Sequence, residues 1–221
     1  RQQAQWLACR IAELKKATGC KVIYDPVAIA STGHALAEQD LLSGLDSLLP
    51  QLDLLTPNAN ELAILSQQSV ATPEQVVSAA VSLCQRGVGA VLVKGGHLMF
   101  APGWSLDFFT NGTLSFWLAA PRLDTPHGHG TGCTYASAIA ALLSQGYVME
   151  DAITLARAYL QEGLASAEGI GAGPGPVAHN GWPQRREHFP QVILPDSPLA
   201  KALALCWPRS EEHTSELQSQ R

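Results

Sequence analysis

The sequence predicts an α/β fold, with a mostly parallel central sheet and helices on both faces. Three observations predict it. Segments with helical spacing alternate with short buried runs rich in β-branched residues. A single stretch, around Asn111-Gly112, carries the signal of a tight hairpin. Glycine-rich and polar motifs follow the expected strands directly, at the sheet edge where ligands of such folds collect.

The elements follow in order. In residues 2–18, Ala4, Leu7, Ala8, Ile11 and Leu14 fall at helical spacing, and Gly19 supplies the stop. Residues 21–24 form a short run between Gly19 and Pro26 and read as a buried strand. Residues 40–49 predict a second amphipathic helix, ended by Pro50. Residues 53–55 predict a short strand running into Thr56-Pro57-Asn58, and 60–66 a short helix. Thr72-Pro73-Glu74-Gln75 is a helix start, with a Thr cap, Pro first and Gln third. That helix runs to Arg86 and stops at Gly87 and Gly89. Residues 88–94 predict a buried strand, terminated by Gly95-Gly96. Residues 105–110 and 113–117 flank the Asn111-Gly112 turn. Residues 130–145 predict a helix that opens on a glycine-rich turn and closes at Gly146. Residues 149–168 predict another, followed by a glycine-rich loop over 169–176.

Composition narrows the class. With 46% hydrophobic and 15% charged residues, the chain has the balance of a packed domain rather than a disordered one. A formal net charge of −5 excludes the basic footprint of a nucleic-acid binder. The longest apolar run, 135–143, is too short for a membrane span and is broken by Ser137. Five scattered cysteines without a Cys-x-x-Cys pair argue against a disulfide framework or zinc ribbon and fit a reducing cytoplasm. The chain begins at Arg1, without Met and already in a helical pattern, so the reading expects a truncated front end. Residues 209–221 resemble a translated sequencing adapter and are set outside the expected domain.

Four segments could carry chemistry. Asp25-Pro26-Val27 follows the first strand, where Asp25 could face a cation or cap its loop. Thr56-Pro57-Asn58-Ala59-Asn60-Glu61 follows the second. Glu61 stands in the first helical turn, where the dipole favours a carboxylate, so a capping role competes with a metal-water role. Lys94-Gly95-Gly96-His97 places a cation at a strand end beside glycines that allow close approach of an anion; a solvated lysine is the alternative. The fourth is His127-Gly128-His129-Gly130-Thr131-Gly132-Cys133. Glycines at a helix start leave N–H groups for an anion, and a cysteine in the first turn stands where the dipole favours a thiolate or a base for a substrate hydroxyl. A structural turn with a buried cysteine is the other reading; a metal site from His127, His129 and Cys133 is set aside because a lone glycine between two loop histidines seldom lets both ligate. The sequence has no Gly-x-x-x-x-Gly-Lys-Ser/Thr, no His-Arg-Asp or Asp-Phe-Gly, and no Gly-x-Ser-x-Gly.

In order and spacing, these motifs, closed by Gly171-Ala172-Gly173-Pro174-Gly175-Pro176-Val177-Ala178-His179, resemble the hydroxymethylpyrimidine/phosphomethylpyrimidine kinases over roughly residues 1–190. The resemblance implies a ribokinase-like three-layer sandwich. It implies transfer of the γ-phosphate of ATP, with Mg2+, to 4-amino-5-hydroxymethyl-2-methylpyrimidine and then to its monophosphate, in thiamine diphosphate biosynthesis. By the same resemblance Gly130, Thr131 and Gly132 form an anion hole, and Cys133 is the base. Asp25 and Glu61 arrange magnesium, Glu61 through water. Lys94, Thr56 and Asn58 meet phosphate, Val27 meets the pyrimidine, and Gly171 and Gly173 lie beside the nucleotide. It also implies a cytoplasmic homodimer and, in some bacteria, fusion to thiamine-phosphate synthase. Residues 191–208 are then either an extension of the kinase or the start of that second domain.

Pyridoxal kinases and ribokinases carry Asp at the base position. Cys133 points instead to the pyrimidine kinases and to hydroxyethylthiazole kinases. The alternatives are therefore a pyridoxal or hydroxyethylthiazole kinase, or an inactive remnant. Two departures stand out. Ala28 follows Val27 where many members carry Met. The N-terminal strands that the resemblance implies are not in this sequence, so the chain is expected to be poorly stable and weakly active or inactive.

Overall fold

The computed structural model describes residues 2–27 and 45–208. Ala28, residues 40–44 of the helix expected over 40–49, and the adapter-like segment 209–221 lie outside the described residues. From the helix, 45–48 are helical and run into a 3-10 turn, Leu49–Gln51, at Pro50.

Six strands form one sheet in chain order: β1 (Ile23–Tyr24), β2 (Leu54–Leu55), β3 (Val91–Val93), β4 (Trp104–Thr110), β5 (Ser115–Pro121) and β6 (Gln191–Ile193). The first three are parallel; every pairing from β3 onward is antiparallel. The expected α/β class is present, but the described sheet is mixed rather than mostly parallel. Connection length explains why. Between β2 and β3 the chain has room for two helices, α2 (Ala59–Ser66) and α3 (Pro73–Gln85), so it returns in the same direction. After β3 it has only a 3-10 turn, Gly95–His97, and a short loop, and it reverses. It reverses again at Asn111-Gly112, where the Asn111 side chain accepts from the N–H groups of Thr113 and Leu114 at 3.0 and 2.8 Å.

The strands alternate between two faces, as a two-residue period requires. Val91, Val93, Leu106, Phe108, Trp117 and Ala119 join one core with α1 (Gln2–Thr18), α2 and α3. Leu92, Phe109, Phe116 and Leu118 join another with α4 (Thr131–Ser144) and α5 (Met149–Ala165). The result is the expected three layers. Trp117 is fully buried, with its ring centroid 4.8 Å from that of Phe108, and burial of such a side chain contributes about 1.5–3 kcal/mol. Its indole N–H donates to the carbonyl of Cys206 at 2.9 Å. Strand β6 and the helical turn α6 (Pro198–Ala202) therefore continue the sheet and its packing, with Leu203, Leu205 and Trp207 lying on the first core.

Helix α1 is fastened by charge. Asp53, just before β2, meets Lys15 at 2.7 Å and Lys21 at 3.2 Å, and accepts the Val22 N–H at 2.9 Å. Burial opposes ionisation of Asp53, but Lys15, the Val22 N–H and Lys21 outweigh it and hold the carboxyl below its usual value. A group with a depressed folded value adds stability above its unfolded value, near pH ~3.9, and loses it as pH falls through the folded one. Asp53→Asn is thus expected to lower the urea midpoint at pH 6, with the gap to the wild type closing as pH falls. A gap that widened toward low pH would contradict this.

Candidate active site

The ends of β1, β2 and β3 bring three of the expected residues side by side. The Thr56 N–H donates to the Tyr24 carbonyl at 3.0 Å, and the Lys94 N–H to the Pro57 carbonyl at 2.8 Å. This register sets Asp25, Thr56 and Lys94 on adjacent strand ends. Asp25 Oδ1 accepts from Thr56 Oγ1 at 2.9 Å and from Lys94 Nζ, with which it forms an ion pair. Both charged side chains are largely withdrawn from water, at 16% and 15% exposure. A cation with one part-buried counter-ion and an open neighbouring space is suited to a second anion.

The glycine-rich turn completes this space. Gly130 caps α4 in the left-handed conformation, and no side chain caps the helix. The first-turn N–H groups and the positive end of the dipole are thus directed toward any anion there. A β-carbon at Gly132 would stand 3.0 Å from Lys94 Nζ and 3.4 Å from Asp25 Oδ2. Glycine at 132 is what lets the helix start approach the ion pair. A cavity of about 190 Å3 lies between Lys94, Gly96, Asn58, Thr131 and Gly132, with Leu160 and Leu164 of α5 at its far wall.

Cys133 is exposed and opens on a different cavity, of about 540 Å3. Ser137, Ala141 and Gln145 continue that wall at helical spacing. Tyr159, His179 and Trp182 face it, with Tyr159 Oη 2.8 Å from His179 Nδ1. The first turn of α4 therefore separates a smaller, cationic pocket from a larger one.

The other expected residues are placed as follows. Glu61 is buried and forms a capping box: its Oε2 accepts the Asn58 N–H at 2.7 Å, and Asn58 Oδ1 accepts the Glu61 N–H at 2.9 Å. The capping role weighed for Glu61 is thus present. Burial, then Glu61 and Asp25, push the Tyr24 hydroxyl up, so both carboxylates act on one side chain. Val27 is exposed. Gly171 and Gly173 lie on an exposed loop whose end is tied to the anion turn by a His129–Pro176 bridge. Among the described residues no group of three or more His, Cys, Asp or Glu could hold a metal ion.

Sequence reasoning missed one pair beneath the cationic pocket. Asp107 Oδ1 accepts the Gly95 N–H at 2.7 Å, and Oδ2 lies 3.0 Å from Arg157 Nε, compensated by charge without an aligned donor. Arg157 Nη1 donates to Gln161 Oε1 at 2.8 Å, and Gln161 donates to the Pro121 carbonyl at 2.8 Å. The readable signal was a charge on an apolar stripe: Arg157 falls among Ile153, Ala156 and Leu160, all buried.

The family model for phosphomethylpyrimidine kinase matches residues 2–178. The chain is 38% identical over 173 residues to the hydroxymethylpyrimidine/phosphomethylpyrimidine kinase of Streptomyces coelicolor, a match covering 78% of this chain and 63% of that protein. It thus spans less than two thirds of that relative's length. It is 36% identical over 174 residues to the thiamine biosynthesis bifunctional protein ThiED of Geobacter sulfurreducens, covering 78% of this chain and 34% of that one. In structure it is similar to the pyridoxal kinase of Staphylococcus aureus solved with ADP, with a TM-score of 0.73 and 26% identity over 86% of this chain and 69% of that chain. The ribokinase-like layering, the motif order and these matches together establish that the chain belongs to the phosphomethylpyrimidine kinase family.

Proposed function

We propose that the chain is part of an ATP-dependent kinase of thiamine biosynthesis that phosphorylates 4-amino-5-hydroxymethyl-2-methylpyrimidine and then its monophosphate. The part-buried Lys94–Asp25 pair, set against Gly132 at the start of α4, carries this reading. Phosphoryl transfer needs in-line positioning and neutralisation of charge on the transferring group more than covalent chemistry. Lys94, with the first-turn N–H groups of α4, neutralises charge in the smaller cavity. Cys133, on the other side of that turn, takes the proton of the attacking hydroxyl. Leu160 and Leu164 offer an apolar wall to the nucleotide base, with Gly171 and Gly173 nearby.

Magnesium fits the site: Asp25 Oδ2 faces the glycine cradle, and a hard cation beside phosphates takes one or two carboxylates and keeps its waters. Asp25 would hold it, with Glu61 acting through water, and when bound it would offset phosphate charge. Residues 191–208 belong to the kinase domain in this reading, supported by the pairing of β6 with β5 and the Trp117–Cys206 hydrogen bond. Similarity to a bifunctional ThiED protein keeps a fused second enzyme among the expected partners. Among the described residues no helix is long and apolar enough to cross a membrane.

The structural likeness to a pyridoxal kinase favours one second reading, phosphorylation of pyridoxal. Both readings predict that Mg-ADP binds the chain. Release of ADP from Mg-ATP in the presence of the hydroxymethylpyrimidine, competed poorly by pyridoxal, is the result expected. Preference for pyridoxal would replace the substrate, and absence of Mg-ADP binding would remove the kinase reading.

A further inference from the structure

Residues 169–176 carry glycine at every second position, 169, 171, 173 and 175. Such a run is costly to order, because glycine loses more backbone freedom than any other residue. Two backbone hydrogen bonds hold its end: His129 N–H to the Gly175 carbonyl at 3.3 Å, and Val177 N–H to the His129 carbonyl at 3.0 Å. A side chain adds a third. His127 Nδ1 accepts the Gly175 N–H at 2.9 Å.

The two ends of the loop meet beside this ring. A β-carbon at Gly169 would stand 2.9 Å from His127 Cε1, and one at Gly175 would stand 2.2 Å from the Glu168 carbonyl oxygen. The imidazole therefore packs against the start of the loop and hydrogen-bonds its end. Its own backbone is fixed in turn: the His127 N–H donates to Thr125 Oγ1 at 3.2 Å. Acceptance at Nδ1 requires a neutral ring with its proton on Nε2.

We infer that His127 is a positioning residue that fastens the glycine-rich loop to the anion turn, so that the two glycine segments beside the proposed nucleotide site form one preorganised surface. The inference rests on the kinase reading. His127 acts through Gly175 rather than by touching nucleotide. Its contribution is the ordering cost that binding would otherwise bear.

The test combines nucleotide calorimetry with amide exchange on the full chain, comparing His127→Ala with His127→Asn. Asparagine places an acceptor oxygen where Nδ1 stands, one bond beyond Cγ, and so can restore the bond without the ring. In His127→Ala the Gly175 amide is expected to lose protection, and Mg-ADP affinity to fall about three- to tenfold, the worth of one hydrogen bond. His127→Asn is expected to recover both within about twofold. A protected Gly175 in the alanine variant, or unchanged affinity there, overturns the inference while the kinase reading stands. Failure of the wild-type chain to bind Mg-ADP overturns the kinase reading and this inference with it.

Discussion

Replacing Cys133 by alanine is expected to lower phosphoryl transfer to the hydroxymethylpyrimidine by about 10²- to 10⁴-fold, the range of a positioned general base. Affinity for Mg-ADP is expected to stay within about twofold of wild type, since no nucleotide-side hydrogen bond is removed. The geometry separates the two effects. Cys133 is exposed and opens on the larger cavity, whereas Lys94 and Gly132 line the smaller one. Loss of the thiol removes a group on the alcohol's side and leaves the cationic pocket whole. Of the hydroxyls in the first turn of α4, Thr131 Oγ1 donates to the Gly128 carbonyl at 2.6 Å, and Thr134, which lines the same cavity as Cys133, is too weak a base to take over. The fold should survive, since the position is exposed and alanine is the best helix former. Steady-state ADP release with calorimetry on the same preparation reads both quantities. Wild-type turnover in the alanine variant would remove Cys133 from the chemistry. A collapse of Mg-ADP affinity with turnover would mean that Cys133 belongs to the nucleotide pocket.

The residues that sequence reasoning could reach share one property: they sit at strand ends or helix starts, where local punctuation marks them. Pro26 after Asp25, Gly95-Gly96 after Lys94, and the glycines before Cys133 all announce a chain leaving a strand or entering a helix. Proximity of Asp25 to Lys94 is a different matter, because 69 residues separate them and only the β1–β2–β3 register joins them. The Asp107–Arg157 pair was harder still. Asp107 lies inside β4 between Leu106 and Phe108, with no turn or glycine motif beside it, and its partner is on the far side of a hairpin and a helix. Strand β6 escaped notice because Gln191 and Val192 are exposed and only Ile193 is buried, so an edge strand of three residues leaves no alternation to read. The reversal of sheet direction after β3 likewise depends on loop length and pairing, which periodicity does not encode.

The second large effect is on stability. Arg157→Met is expected to destabilise the fold by about 3–5 kcal/mol, because it leaves the Asp107 carboxylate buried without a counter-charge. Both side chains are only 4% exposed, so water cannot make up the loss. Asp107→Asn should cost a comparable amount, now through an uncompensated guanidinium. The double variant is the discriminating case. With both charges gone, neither is stranded, and the side-chain amide oxygen that Asp107→Asn introduces can still accept the Gly95 N–H that Asp107 Oδ1 now holds at 2.7 Å. Its loss should therefore fall short of the sum of the singles by about 2–3 kcal/mol, the upper part of the range for residues in direct contact. Urea midpoints at matched slopes measure all three. Additive losses would mean that the two charges do not depend on each other, and the ion pair would then be no part of what holds the Lys94 turn. A coupled loss with intact Mg-ADP affinity in the double variant would instead show that the Gly95 hydrogen bond, rather than the charge on Asp107, keeps Lys94 beside Asp25.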